Sequence, residues 1–479
     1  MAFLTVKLAD GHKVEFDDQP IASGGEKVVF FTKDKSQVVC FFFGKMVDRA
    51  ERRKRLENII GSYNPTQKGQ AAEYWKKYFC WPTALIDGEG GLPKAFFLAN
   101  NIQDPPLGLV APAYRSNFFF TTTRGKRVEK NGRWFTGEKA RRMLPVEERG
   151  SLYNYVVLCN RMARAVRRMH FAGLAHSDLS NKNVLIDPRR ADVCIIDIDS
   201  LVVPGVAPPS VYGTPGYIAP EVVAGKALPS ISTDLHALAV LIYESLLLRH
   251  PLRGPKNHHP VPEDDERLAM GTKALFIEHP SDRTNALKPY PAIPFTALGP
   301  YLSALMLRAF VDGLHAPAKR PTAADWEKGL YRTLDLMHPR PDGKGEFFVI
   351  DSQKRPLICP FTHQRLKTPV PFARFYRESR PGHFSWEQHG LIVYHNLTFY
   401  KWHTTDNQTP GENADNQQQG YFSFHQGRWV MVNQTGWPIL IVPSGKSIPH
   451  EGMLEISQGL HVRFTHPNGR LLVFEFLSP

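Results

Sequence analysis

The sequence predicts an α+β fold of two lobes, a small β-rich one and a larger helical one, followed by an all-β C-terminal sandwich. Three observations carry this reading. Residues 1–45 alternate short β-prone runs with turn signals, and further strand-like runs follow a charged helix up to 113. From Ser151 the apolar period changes: Leu152, Tyr155, Cys159, Met162, Val166 and Met169 recur at steps of three and four, the stripe of one long helix. Beyond His338 short strand-like runs return. At 479 residues the chain is long for a single hydrophobic core. The expected division is a first lobe over 1–114, a second over 115–337, a linker containing Pro and Gly over 338–346, and a β-sandwich over 347–479.

In the first lobe strands are expected at 4–8, 13–16, 28–31 and 38–43, with Asp34-Lys35-Ser36 closing a hairpin between the last two. A charged helix should run from about 46 to 60, ended by Gly61 and Pro65. Further strand-like runs lie at 82–86, 95–98 and 108–113. In the second lobe Gly173 ends the long helix, and helical patterns recur at 233–248, 301–310 and 323–337. The tail offers strands at 347–350, 390–394, 428–432, 439–442, 461–464 and 471–476, with a polar Asn/Gln-rich loop at 404–420.

Composition narrows the class. Hydrophobic content of 42% with 22% charged residues describes a globular chain, neither disordered nor fibrous. The first residues lack the apolar core of a signal peptide, and no run of about twenty apolar residues occurs. Cys40, Cys80, Cys159, Cys194 and Cys359 are scattered, which fits a reducing compartment, the cytoplasm. Cys359 and His363 stand four apart but lack further ligands, so they are read as structural. The net charge of +13 gathers at 45–55 and at 124–142, the latter with eight Lys or Arg against two Glu. A solvated face is the favoured reading, a docking surface for an acidic partner the sharper one, and nucleic-acid binding the least favoured.

The chemistry concentrates in His176-Ser177-Asp178-Leu179-Ser180-Asn181-Lys182-Asn183 and, after a turn, Cys194-Ile195-Ile196-Asp197-Ile198-Asp199. Phosphoryl transfer needs a carboxylate to orient the attacking hydroxyl and take its proton, and oxygen ligands to hold magnesium against the phosphates. A loop after a long helix supplies the carboxylate Asp178 and the amide Asn183; a hairpin then delivers Asp197. A lone Asp at any of these positions would more often be a turn residue or a helix cap. The joint spacing makes coincidence a poor explanation.

His-x-Asp-Leu-x-x-x-Asn resembles the protein-kinase catalytic loop, and Asp197-Ile198-Asp199 stands where that family has Asp-Phe-Gly. The resemblance implies ATP and magnesium as cofactors. It makes Asp178 the base, His176 a structural residue of the loop, and Asn183 and Asp197 metal ligands, with Asp199 counted beside them. Small-molecule phosphotransferases share such a loop. Tyr212-Gly213-Thr214-Pro215-Gly216-Tyr217-Ile218-Ala219-Pro220-Glu221 is more telling, because it resembles the end of a protein-kinase activation segment, a shelf for a peptide. By the same resemblance Glu221 pairs with Arg320, and Asp234 opens the buried helix beneath the catalytic loop. Together these motifs resemble the eukaryotic-like bacterial Ser/Thr protein kinases over roughly 15–337.

Departures cluster in the first lobe. Gly24-Gly25-Glu26-Lys27 is similar to a shortened glycine-rich loop whose N–H groups would cover phosphates. The lysine usual on the third strand is absent from 38–43, which leaves Lys45, slightly favoured, or Lys27. Glu57 is the preferred helix partner, with Glu51 the alternative. Leu109 to Tyr114 resembles the strand and hinge that contact adenine, through Ala111 and Ala113. Ser177 replaces the usual Arg beside the base, so activation should not depend on phosphate at Ser210 or Thr214. Ser180 replaces a lysine.

Phe276-Ile277-Glu278-His279-Pro280 is similar to kinases of tellurium-resistance-associated systems. That likeness implies a metal-dependent protein phosphatase and a von Willebrand factor A protein as partners, beside the protein substrate. The tail resembles the second half of a forkhead-associated domain, without its phosphate-reading signatures. The alternatives to an active kinase are a pseudokinase scaffold that binds nucleotide and a small-molecule phosphotransferase.

Overall fold

The computed structural model describes residues 2–44, 48–67, 69–88, 91–209, 213–406 and 417–479. Two compact units result. The first holds Met1–Gly150, Leu158–Pro291 and Met306–Glu327; the second holds Ser151–Val157, Ala292–Leu305 and Lys328–Pro479.

The first unit begins with a hairpin of β1 (Phe3–Lys7) and β2 (Lys13–Asp17), in register Phe3↔Asp17 to Lys7↔Lys13. A five-stranded antiparallel sheet follows: β3 (Ala22–Ser23), β4 (Lys27–Phe31), β5 (Gln37–Phe42), β6 (Ala84–Asp87) and β7 (Leu107–Pro112), ordered β3-β4-β5-β7-β6. Alternation sends Val28, Phe30, Val39 and Phe41 into one core. There Phe16, Phe30, Phe41 and Phe96 pack ring against ring, with centroids 5.3–6.0 Å apart. The expected hairpin turn forms: Lys35 N–H donates to Thr32 O (2.8 Å), with Lys35 left-handed at φ 58°.

One expected strand is a helix. Residues 95–98 fall in the helix Lys94–Ala99, started by Pro93, which buries Phe96 and Phe97. A four-residue apolar run fits either period, and the aromatic cluster decided it here. The charged helix α1 spans Arg49–Ile60 and turns Leu56 and Ile59 inward. In the helical part, Leu152–Phe171 buries its stripe from Tyr155 onward, and Gly173 (φ 77°) ends it. Ile231–Leu247 is buried on nearly every face. Among the described residues no helix is long and apolar enough to cross a membrane.

The second unit is mostly β-sheet. One antiparallel sheet runs in the order His383–Ile392, Val370–Arg380, Leu471–Leu477, His461–Phe464, Ile439–Val442, Ser447–Ile448. A second runs Thr398–Tyr400, Gln418–His425, Arg428–Asn433, Met453–Glu455. One core draws Phe375, Val462 and Phe474 from the first sheet and Phe399, Phe422 and Met431 from the second. Residues 338–346, expected as a linker, lie in a hairpin instead: Met337–Pro339 pairs with Phe347–Val349, and Arg340 N–H donates to Glu346 O (2.7 Å). The strand Val370–Arg380 has no counterpart among the expected strands. Of the expected polar loop, 407–416 lie outside the described residues.

Candidate active site

The loop at 175–183 is fixed from below and from behind. Asp234, buried near the start of Ile231–Leu247, accepts from His176 N–H (2.7 Å) and lies 3.1 Å from His170 Nε2. The His176 ring, fully buried, donates Nε2–H to Ile196 O (2.8 Å), next to Asp197. Asn183 O accepts from Ile196 N–H (3.0 Å), so the loop and the strand leading to Asp197 are joined twice. Both Ser177 and Asp197 are left-handed, at φ 62° and 65°, an uncommon setting for residues with side chains that concentrates at functional turns.

Asp178 is held by two donors. Its Oδ1 accepts from Thr214 N–H (2.7 Å) and its Oδ2 from Asn183 Nδ2 (3.0 Å). Asn183 Nδ2 also donates to Asp178 O (2.9 Å), which turns the amide oxygen the other way and leaves it able to bind a hard cation. Ser177, where an arginine was expected by family likeness, donates Oγ–H to Ser200 O (2.7 Å). That contact and the bridge between Ala175 and Val202 fasten the start of the following segment without any phosphate.

Lys27 meets both acids of the Asp197-Ile198-Asp199 turn. Standing at the start of β4, it lies 2.6 Å from Asp197 Oδ1 and 2.6 Å from Asp199 Oδ1. Burial disfavours its charge, but the Asp199 and Asp197 carboxylates outweigh that and hold its pKa well above the lysine range. Burial opposes ionisation of both acids; Lys27 wins at Asp197, which is lowered, and burial wins at Asp199, which is raised. Lys45, favoured from the sequence, lies outside the described residues. Glu57, the expected helix partner of the lysine, does not meet one among the described residues: its carboxylate is half exposed and pairs with Arg53 on its own helix (3.1 Å). Leu56 and Ile59 take the inward positions of that turn, so Glu57 faces solvent. Glu51 is exposed as well.

Lys27, Asp197 and Asp199 share the wall of a cavity of about 610 Å³ with Val29, Cys40, Leu109, Ala111 and Ala113. Cys40 sits on β5 opposite Val29, in the stretch where the family resemblance puts a lysine. Gly24 and Gly25 are exposed in the turn before β4, with Gly24 N–H donating to Lys27 O (3.0 Å). Phe119, Arg127 and Glu129 also line the cavity, from a hairpin of Phe119–Thr121 and Arg127–Glu129. No motif marked them, because the hairpin is carried by ordinary alternation. Among the described residues no group of three or more His, Cys, Asp or Glu is arranged to hold a metal, Cys359 and His363 included.

The shelf beyond Gly213 is tightly built. A Cβ at Gly213 (φ 108°) would stand 3.1 Å from Ser177 O and 3.5 Å from Asp178 Oδ1, so glycine is required there. Glu221 and Arg320 form the expected pair, bidentate at 2.7 Å and 2.7 Å. Tyr217 donates its hydroxyl to Glu244, and His250 Nε2–H donates to Gly216 O (2.9 Å). Neither Glu244 nor His250 was expected from sequence, since both lie more than twenty residues downstream. Ser210 and Tyr212 lie outside the described residues.

The protein kinase domain family matches residues 138–326. The chain is 26% identical over 198 residues to the serine/threonine-protein kinase pkn3 of Myxococcus xanthus, covering 39% of this chain and 32% of that protein. It is 25% identical over 186 residues to the serine/threonine-protein kinase PknD of Chlamydia felis, covering 34% and 17%. The chain therefore spans about a third or less of the length of these relatives. Among solved structures it is similar to ROP2 from Toxoplasma gondii, described as a virulence factor with a protein-kinase fold and no enzymatic activity. That likeness has a TM-score of 0.44 and 14% identity over 70% of this chain and 84% of that one.

Proposed function

The chain carries a protein kinase domain over residues 138–326, similar to those of bacterial Ser/Thr kinases, and from that premise we propose that it transfers the γ-phosphoryl group of ATP to Ser or Thr hydroxyls of a protein. The observation that carries the reading is the pairing of two clusters: Asp178 with Asn183, and Lys27 with Asp197 and Asp199 on the cavity wall.

Asp178 orients the acceptor hydroxyl and takes its proton; the Asn183 and Thr214 donors keep the carboxylate aimed. Lys27 anchors the phosphates. Asp197, Asn183 and Asp199 supply the hard oxygen donors that magnesium prefers, and when bound it neutralises charge on the transferring phosphoryl group. The apolar wall at Leu109, Ala111 and Ala113 receives the adenine ring. Gly24 and Gly25 lie in the turn that would cover the phosphates. The shelf at 213–221 favours a polypeptide over a small acceptor. A phosphatase and a von Willebrand factor A protein are the partners the subfamily likeness suggests. For the second unit we propose a forkhead-associated-like sandwich, in a form that does not read phosphothreonine.

The silent-scaffold reading draws on Cys40, which stands in the stretch where the lysine was expected; Lys27 answers it by reaching the same carboxylates. Incubation with γ-labelled ATP, magnesium and a mixed protein acceptor tests the proposal. Label is expected with the native chain and a loss of about 10²-fold or more with Asp178→Asn and Asp197→Asn. Equal label in all three would remove the enzymatic reading.

A further inference from the structure

The basic segment at 124–142 gives Arg127 and Glu129 to the cavity wall, and the rest of it packs against the catalytic loop. Ile186 N–H donates to Lys130 O (2.7 Å), and Asn131 bridges to Leu185 on the hairpin that follows the catalytic loop. Gly132 packs so closely that an added Cβ would stand 2.8 Å from Asn181 O. Asn181 Nδ2 in turn donates to Thr136 Oγ1 (2.9 Å). Residues 130–136 are thus packed against the catalytic loop and the hairpin that follows it.

The charges on this segment divide in two. Lys130 is buried and neutralised by Glu148 (2.5 Å), and Arg142 pairs with Glu138. Glu129 accepts from Asn131 Nδ2 (3.1 Å). Arg133, Lys139 and, on the catalytic loop itself, Lys182 are exposed, and no carboxylate is paired with them among the described contacts. Lys182 stands four residues after Asp178, and Arg133 follows the glycine that touches Asn181. Exposed cations left unmatched beside a reaction centre attract anions and turn away cations.

We infer that Arg133 and Lys182 form a cationic rim of the acceptor site, and that the polypeptide substrate carries acidic side chains flanking its Ser or Thr. The inference rests on the kinase reading above and narrows its substrate class. A matched set of Ser peptides flanked by Glu, Ala or Lys tests it with the full chain, read in two ways. Fluorescence anisotropy of the versions with Ala at the acceptor reports binding without chemistry; labelled transfer reports kcat/KM. The Glu peptide is expected to bind and react roughly tenfold better than the Lys peptide, with the preference falling as salt rises. In Arg133→Glu/Lys182→Glu that preference should vanish or reverse, while the Ala peptide keeps its affinity within about twofold. Equal binding of all three peptides, an undiminished preference in the double variant, or tighter binding of a single-stranded RNA than of the Glu peptide would overturn the inference. Failure of the kinase reading is seen separately: charge-selective binding would persist while no peptide, Glu-flanked or otherwise, took label.

Discussion

At the scale of single residues the proposed site draws on Lys27, a lysine on the strand after the glycine pair rather than on the next strand. Its partners Asp197 and Asp199 lie 170 and 172 residues away, so no local pattern joins them. The trio Asp178, Asn183 and Asp197 was legible because its members sit on one loop and one hairpin, where spacing dictates geometry. Lys27 and Lys45 were both visible as candidates, and only the fold shows which carboxylates Lys27 meets. Replacing Lys27 strands a largely buried carboxylate at Asp199. Lys27→Ala should therefore cost about 3 kcal/mol of stability as well as activity; urea unfolding of the variant checks it, and an unchanged midpoint would argue that the pair is solvated. Ser177 belongs at this scale too. Its bond to Ser200 O replaces an arginine that would need a phosphate, so Thr214→Val should retain activity within about threefold, which initial rates can check.

Two elements set the behaviour of the shelf and of the second unit. Burial raises the Glu244 carboxyl to about 7 and pushes the His250 imidazole down to about 4. Glu244 keeps its proton in the folded state, so its contribution is whole below its ordinary 4.5 and lost as pH rises to about 7. His250 stays neutral, so its contribution is whole above its ordinary 6.5 and lost as pH falls toward about 4. The two oppose each other across the acid range. Glu244→Gln removes one of them, and its stability relative to the native chain should rise by about 3 kcal/mol between the two ends of the Glu244 window. Urea unfolding at both ends checks this; a constant difference contradicts it. In the second unit, buried Asp335 accepts from His403 Nε2–H (3.2 Å), whose Nδ1 is already engaged by Tyr400 N–H, and also meets His389. Asp335→Ala leaves both rings without that partner and should cost about 3 kcal/mol, with Asp335→Asn milder. Calorimetry of the two variants ranks them. These contacts were illegible in sequence because the three residues spread over 68 positions and follow no motif.

At the scale of the whole chain, the β-rich tail was readable from the change of period, but its boundary was not. A Pro- and Gly-containing stretch looks like a linker in sequence, yet at 338–346 it turns a hairpin. The second unit also recruits Ser151–Val157 and Ala292–Leu305 from upstream. Tyr153 packs on Phe347 (5.4 Å between ring centroids), Tyr301 meets His389 (2.9 Å), and Gly299 lies so near Val349 that a Cβ would stand 2.5 Å from it. A fragment cut after residue 337 strips these segments of their partners. Its melting temperature should fall by about 10 °C or it should aggregate, and an unchanged melt would contradict the division.

The central claim is that Lys27 and Asp178 serve one phosphoryl-transfer site. Its most direct test is the initial rate of γ-phosphate transfer measured side by side for the native chain, Lys27→Ala, Lys45→Ala and Asp178→Asn. The account predicts losses of about 10²-fold or more for Lys27→Ala and Asp178→Asn and a near-native rate for Lys45→Ala. A native rate in Lys27→Ala, or a collapse confined to Lys45→Ala, would contradict it.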